Sequence, residues 1–402
     1  MINRSKKFFL FLQNAYYKIS MTDISEFTSF VRNSRMEESI SELERLWEED
    51  VDYTEILDAV VPAALSSFSH RFSSMHVPKE NEYLRRILNQ FPRNEQIDFL
   101  KRYIEYLVWS PKYITNSKNA LVSGTDYYKT LENSFLESLE KKEGIPALHY
   151  IHNYAEQSLS EAVKTILRIG CIDVSQAIGH YFSCTESMIR LALAADMPDA
   201  GDHLFAATLY IMQSSPVKIT NPKEPETGLE EIISKTIRKS GFSGYHYLIL
   251  INGLINQKEF LGDEYYLHAL NGLENVLPSL SDGMSHKYFN DLVAKAESKE
   301  TGEDALKHRI WKGDKAGAFA CLSSYYNENG LTKELKNAIL YSYTKIDDHP
   351  HDPHYVTVPT SLFELIDVLS PEDIILALAH TVEFGCDRIK RRGVMSDPVN
   401  SS

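Results

Sequence analysis

The side chains in this sequence best placed to do chemistry are histidines. Residues 345–355, "KIDDHPHDPHY", put three histidines and three aspartates into eleven positions. Pro350 and Pro353 make the stretch a loop, because proline lacks a backbone donor and disfavours helix before it. Its carboxylates and imidazoles could hold a divalent ion or simply face water as a polar loop. After His354 the chain runs on as "YVTVPTSLFELIDVL", and after His180 as "YFSCTESMIRLAL". Each histidine thus heads an apolar helix, where the helix N-terminus disfavours imidazolium and leaves a nitrogen free to accept a proton or a metal. His246 heads a third such segment, "SGYHYLILINGLIN", and a polar group buried there needs a partner.

His180, His246 and His354 are therefore the candidate catalytic residues. Asp173 and Asp347 lie seven residues before His180 and His354. They complete a candidate metal set of His180, His354, Asp173 and Asp347, as ligands or as groups that orient the imidazoles. The ion, iron first, would act as an electrophile; without one, the histidines would serve as general acid and base. His149 and His152 share a helix face but have no E-x-x-H beside them, which argues against a ferritin-like di-iron site. His203 and His380 read as core or capping residues, and His70, His76, His268, His286 and His308 as surface ones.

Most of the chain that must position these groups has helical periodicity. Apolar residues recur at three- and four-residue steps over 27–49, 94–109, 159–170, 203–213 and 371–391, many after Ser, Asp, Asn or Pro. No stretch alternates as a strand would. The expectation is an all-α protein. A linker rich in Pro, Lys and Ser spans 214–228, with one half at 23–213 and another at 229–392. Residues 1–22 read as an N-terminal extension, with Met21 an alternative start, and 393–402 as a disordered tail.

The two halves share short matches. "NEYLRRILNQ" (81–90) aligns with "DEYYLHALNG" (263–272), and "IDVSQAIGHYFSCTES" (172–187) with "IDDHPHDPHYVTVPTS" (346–361). The second match pairs Asp173 with Asp347 and His180 with His354. An internal duplication would pack two helical units about a pseudo-two-fold axis and bring His180 towards His354.

Composition narrows the function. The chain has 402 residues, with 56 acidic against 42 basic side chains and a net charge of −14. No cationic face is concentrated enough for nucleic acid. Four dispersed cysteines exclude zinc fingers and cysteine-ligated iron–sulfur clusters and suit a reducing cytoplasm. The apolar run Phe8 to Leu12 is too short to span a membrane. Dinucleotide, Walker, H-E-x-x-H and G-x-S-x-G motifs are absent.

The segments "AIGHYFSCTESMIRL", "SGYHYLILINGL" and "DPHYVTVPTSLFEL" resemble the questin-oxidase-like helical proteins. That resemblance implies an oxidoreductase of oxygenase type acting on an organic small molecule, with His180, His246 and His354 lining its pocket. The chain departs from related Rieske-linked proteins in lacking a C-x-H…C-x-x-H cluster motif, which leaves the electron donor unspecified. Two readings stay open: such an enzyme, with an apolar His-lined pocket between the halves, or a non-catalytic helical scaffold whose concave faces bind partners.

Overall fold

The computed structural model describes residues 23–67, 74–112, 128–194, 199–239, 241–297 and 300–393. The expected extension and tail lie outside these except for Gly393, as does His70. No strand forms among the described residues, and 78% of them are helical. The helices are α1 (Ser25–Arg32), α2 (Met36–Glu48), α3 (Tyr53–Leu65), α4 (His76–Ile87), α5 (Arg93–Trp109) and α6 (Tyr128–Glu140). Then follow α7 (Gly144–Cys171), α8 (His180–Ala194), α9 (Asp199–Ile211), α10 (Leu229–Ile237), α11 (Gly241–Asn256) and α12 (Lys258–Val276). The last six are α13 (His286–Val293), α14 (Glu303–Trp311), α15 (Lys315–Asn329), α16 (Lys333–Ser342), α17 (His354–Leu365) and α18 (Pro371–Arg392).

The helix expected over 27–49 is two, because Ser34 adopts a left-handed φ of 56° between α1 and α2. Segment 214–228 carries no helix. It lies against α12, where Glu274 accepts hydrogen bonds from the backbone N–H groups of Glu226 (2.7 Å) and Thr227 (3.0 Å).

Four helices form the centre. α4 packs on α8, α8 on α11, α11 on α17, and α17 back on α4. Each is backed by two more: α3 and α5 on α4, α7 and α9 on α8, α10 and α12 on α11, α16 and α18 on α17. α11 earns its place by hydrophobicity, with Leu248, Ile249, Leu250, Ile251 and Leu254 all buried. Each such side chain contributes about 1.5–3 kcal/mol. A helix apolar all round belongs inside.

α4 is the opposite case. Its sequence, "HVPKENEYLRRI", is largely polar, yet every residue from His76 to Leu84 is buried. The polar groups pair across the helix interfaces, two of the pairs buried and the third reaching the surface at Glu364. Lys79 Nζ donates to Ser183 Oγ (3.0 Å), the Tyr83 and Ser361 hydroxyls share a hydrogen bond (2.9 Å), and Arg86 bonds Glu364 (2.8 Å). These pairs sit one, two and three turns beyond His76 on α4 and, in step, beyond His180 or His354 on the partner helix. The three helices therefore run the same way from a common level.

At the far end Glu82 binds both Arg86 (2.9 Å) and Arg190 (2.7 Å), while Gln257 donates to Glu186 (3.0 Å) and Asn252 to Glu364 (2.6 Å). Removing one partner of a buried ion pair costs about 3–5 kcal/mol. The ladder thus fixes the register of α4, α8 and α17, and Asn252 ties in α11.

Candidate metal centre

At the shared upper end of these helices four imidazoles meet. His76 and His180 open α4 and α8, His354 opens α17, and His246 lies in the first half of α11. One ring nitrogen from each falls within 4.8 Å of the others, and all four side chains are buried. The ring centroids form a closed quadrilateral: His76 to His180 at 4.8 Å, His180 to His246 at 4.4 Å, His246 to His354 at 4.6 Å, His354 to His76 at 4.9 Å. Facing Nε2 atoms are 3.0 Å apart for His180 and His76, and 2.8 Å for His354 and His246.

Two of the imidazoles are set by residues just before them in the chain. Before His180, Ala177 (φ 47°), Ile178 (φ 54°) and Gly179 (φ 74°) are all left-handed. Only glycine adopts that conformation freely, and the two others cost about 1–2 kcal/mol each. The turn aims the Ala177 carbonyl back at His180 Nδ1, which donates to it. His354 is fixed by Asp352, whose Oδ1 accepts from the His354 backbone N–H (3.0 Å) and from Nδ1 (2.5 Å). Two residues before His76, Ser74 Oγ and the Tyr210 hydroxyl share a hydrogen bond (2.7 Å).

Nδ1 protons donated outward leave Nε2 lone pairs turned inward at His180 and His354, an orientation that carbonyl or carboxylate partners commonly impose on metal-ligating histidines. Burial pushes His180 down to about 3, helped by the nearby Lys79 charge, and holds His76 well below its ordinary value. Both are neutral at physiological pH. Metal–imidazole bonds of about 2.0–2.1 Å put neighbouring ligand nitrogens about 3 Å apart, so the facing pairs need little adjustment. For Asp352, burial opposes ionisation, but His354 and Arg388 hold its carboxyl well below the usual carboxylate range. Lys79 is fully buried, and burial lowers its pKa.

The centre brings together three of the histidines expected from sequence, His180, His246 and His354, and adds His76. The expectation of His76 as a surface residue is corrected, since it is fully buried. Asp173 and Asp347 lie elsewhere. Asp173 caps its own turn, accepting from Ser175 N–H (3.0 Å) and Gln176 Nε2 (2.8 Å). Asp347 is exposed beside His349, at 3.1 Å.

The rest of "KIDDHPHDPHY" divides by burial. Asp348 accepts from the Tyr355 hydroxyl (2.7 Å), while His351 Nε2 meets Glu80 Oε1 (2.8 Å). His149 and His152 interact within α7, with Asn153 and Glu156. The four cysteines are free and buried. No described helix is long and apolar enough to cross a membrane. Comparison of the chain with protein-family models, curated proteins and solved structures finds no match.

Proposed function

We propose that this protein is a metal-dependent oxidoreductase acting on an organic small molecule, with one metal ion held by His76, His180, His246 and His354. The observation that carries this reading is the convergence of four buried imidazoles within 4.8 Å. An all-imidazole donor set suits iron, copper, nickel or zinc. Oxidoreductase chemistry needs a redox-active one, and iron is the first candidate. Such an ion supplies electrophilic and redox chemistry at the centre.

The chain's own contribution is positional. Asp352 and the Ala177 carbonyl orient two ligands, the polar ladder keeps the helices in step, and the surrounding apolar helices exclude water. The resemblance to questin-oxidase-like proteins supports the same reading, since three of the four histidines head the segments that carry it. A partner-binding scaffold would use histidines as caps and packing residues, and nothing in that role calls for four imidazoles facing one another.

The spacing of the ligands supports a duplicated chain. His76 and His180 are 104 residues apart, and His246 and His354 are 108 apart. The match of 172–187 with 346–361 aligns two ligands. The match of 81–90 with 263–272 aligns α4 with α12, which holds none of the four. The unit that this spacing outlines pairs α4 with α11 and α8 with α17.

Elemental analysis and an absorption spectrum of the purified protein test the proposal, beside a His76→Ala/His246→Ala variant. Near-stoichiometric metal, lost in the variant while the helical circular dichroism persists, is the expected result. Metal-free wild type from cells supplied with iron, copper and nickel would overturn it.

A further inference from the structure

Beside the four-histidine centre lies a second buried pair that the metal site does not use. Glu80 follows His76 by one turn of α4, and His351 precedes His354 in the loop leading to α17. The same two segments therefore carry one edge of the histidine quadrilateral and this pair. His351 Nε2 is 2.8 Å from Glu80 Oε1, with side chains 3% and 1% exposed. A carboxylate only accepts hydrogen bonds, so Nε2 carries a proton, and in the neutral ring Nδ1 then presents its lone pair. His351 Nδ1 and Glu80 Oε2 are both buried without a hydrogen-bond partner. A pair kept only for structure has no use for two unsatisfied buried acceptors.

The neighbouring groups are otherwise engaged. Tyr355 of α17 meets the His351 ring edge-on at 5.4 Å, and its hydroxyl is given to Asp348. Tyr103 of α5, which senses the Glu80 charge, accepts a hydrogen bond from Asn81 (3.1 Å). Asp352 serves His354 and faces Arg388 of α18 at 3.4 Å. Arg102 of α5 donates to the Asp348 carbonyl (3.2 Å). None of these satisfies the two orphan atoms.

We propose that His351, positioned by Glu80, is the general base that takes the proton from a weakly acidic O–H group of a substrate at the adjacent centre. The substrate's O–H bond breaks, its electron pair stays on oxygen, and the proton moves to His351 Nδ1. The Glu80 carboxylate stabilises the imidazolium that forms, as the carboxylate behind a catalytic histidine does. His351 is thus the catalytic residue and Glu80 the positioning one. The assignment rests on the reading of the protein as an enzyme centred on the four histidines, and its test is separable from that of the metal.

The probe is 4-nitrocatechol, whose spectrum reports its own ionisation. Titrate it into wild type, Glu80→Gln and His351→Gln, at a pH about one unit below that at which the free probe ionises and at alkaline pH, and measure the metal content of the same samples. Wild type is expected to bind the probe as its phenolate below the pH at which the free probe ionises. Both near-isosteric variants should bind it about tenfold more weakly there. They should recover at alkaline pH, where the probe arrives already ionised, and keep wild-type metal content. Variants that ionise the probe as wild type does would overturn the proposal, as would wild type that leaves it protonated. Loss of binding without alkaline recovery would also overturn it, showing a structural role. Absence of metal would count against the centre, while the probe's ionisation still judges the pair.

Discussion

Asp352→Asn separates a metal centre from a mere knot of polar side chains. Asp352 is fully buried, and one of its oxygens accepts from both the backbone N–H and the Nδ1 of His354, at 3.0 and 2.5 Å. Asparagine keeps that oxygen and the side-chain volume, so the turn at the head of α17 survives. What it removes is the charge that makes His354 a stronger donor. Loss of such an orienting group lowers metal affinity by about 10–100-fold, or about 1.4–2.8 kcal/mol. Arg388, 3.4 Å from the other oxygen, is 18% exposed and can turn toward water. The metal-free fold should therefore lose no more than about 1–2 kcal/mol. Competition with a chromophoric chelator, using cobalt(II) as reporter, gives the affinity, and urea unfolding of metal-free protein gives the stability. Unchanged affinity would refute the reasoning. So would a stability loss that accounts for the whole effect.

Three further predictions follow from the surroundings of the centre. Gly179→Ala places a Cβ in a left-handed residue (φ +74°) and 3.1 Å from Leu250 Cδ2. It should cost about 1–2 kcal/mol in urea unfolding and weaken metal binding by displacing His180; loss of stability with full metal affinity would contradict this. Lys79→Met removes a buried amine whose hydrogen bond is to Ser183. The metal-free protein should be as stable as wild type or about 1–2 kcal/mol more so, and a clear loss on thermal unfolding would show that the amine holds the fold. His380 is held neutral by burial, its pKa down to about 4. As pH falls from about 6.5 to about 4 the unfolded chain takes up a proton that the fold refuses, so stability drops by up to about 3 kcal/mol across that window. His380→Leu should remove that share of the acid sensitivity, and an identical pH slope in the variant would contradict it.

The sequence made the helical class legible, because apolar periodicity survives tertiary packing in most of these helices. It also marked His180, His246 and His354, since each heads an apolar run that could only be buried. His76 escaped for a physical reason: "HVPKENEYLRR" has the composition of a solvated helix. Those polar residues instead satisfy one another inside the ring, through partners some 100 to 280 positions away. The one local hint was the near-equal spacing of His76 from His180 and His246 from His354. Asp173 and Asp347 stood out because they recur, whereas the carboxylate that touches a ligand, Asp352, has no counterpart in the first half. The buried character of His351 could not be read locally either, because its partner Glu80 lies 271 residues away.

The central claim is that four imidazoles hold one metal ion, and metal-edge X-ray absorption of the purified protein tests it most directly. The account predicts a shell of about four nitrogen neighbours near 2.0–2.2 Å with the outer-shell scattering of imidazole rings. It also predicts loss of that pattern in any single variant of His76, His180, His246 or His354. A spectrum dominated by sulfur or carboxylate oxygen, or one unchanged when these histidines are replaced, would contradict it.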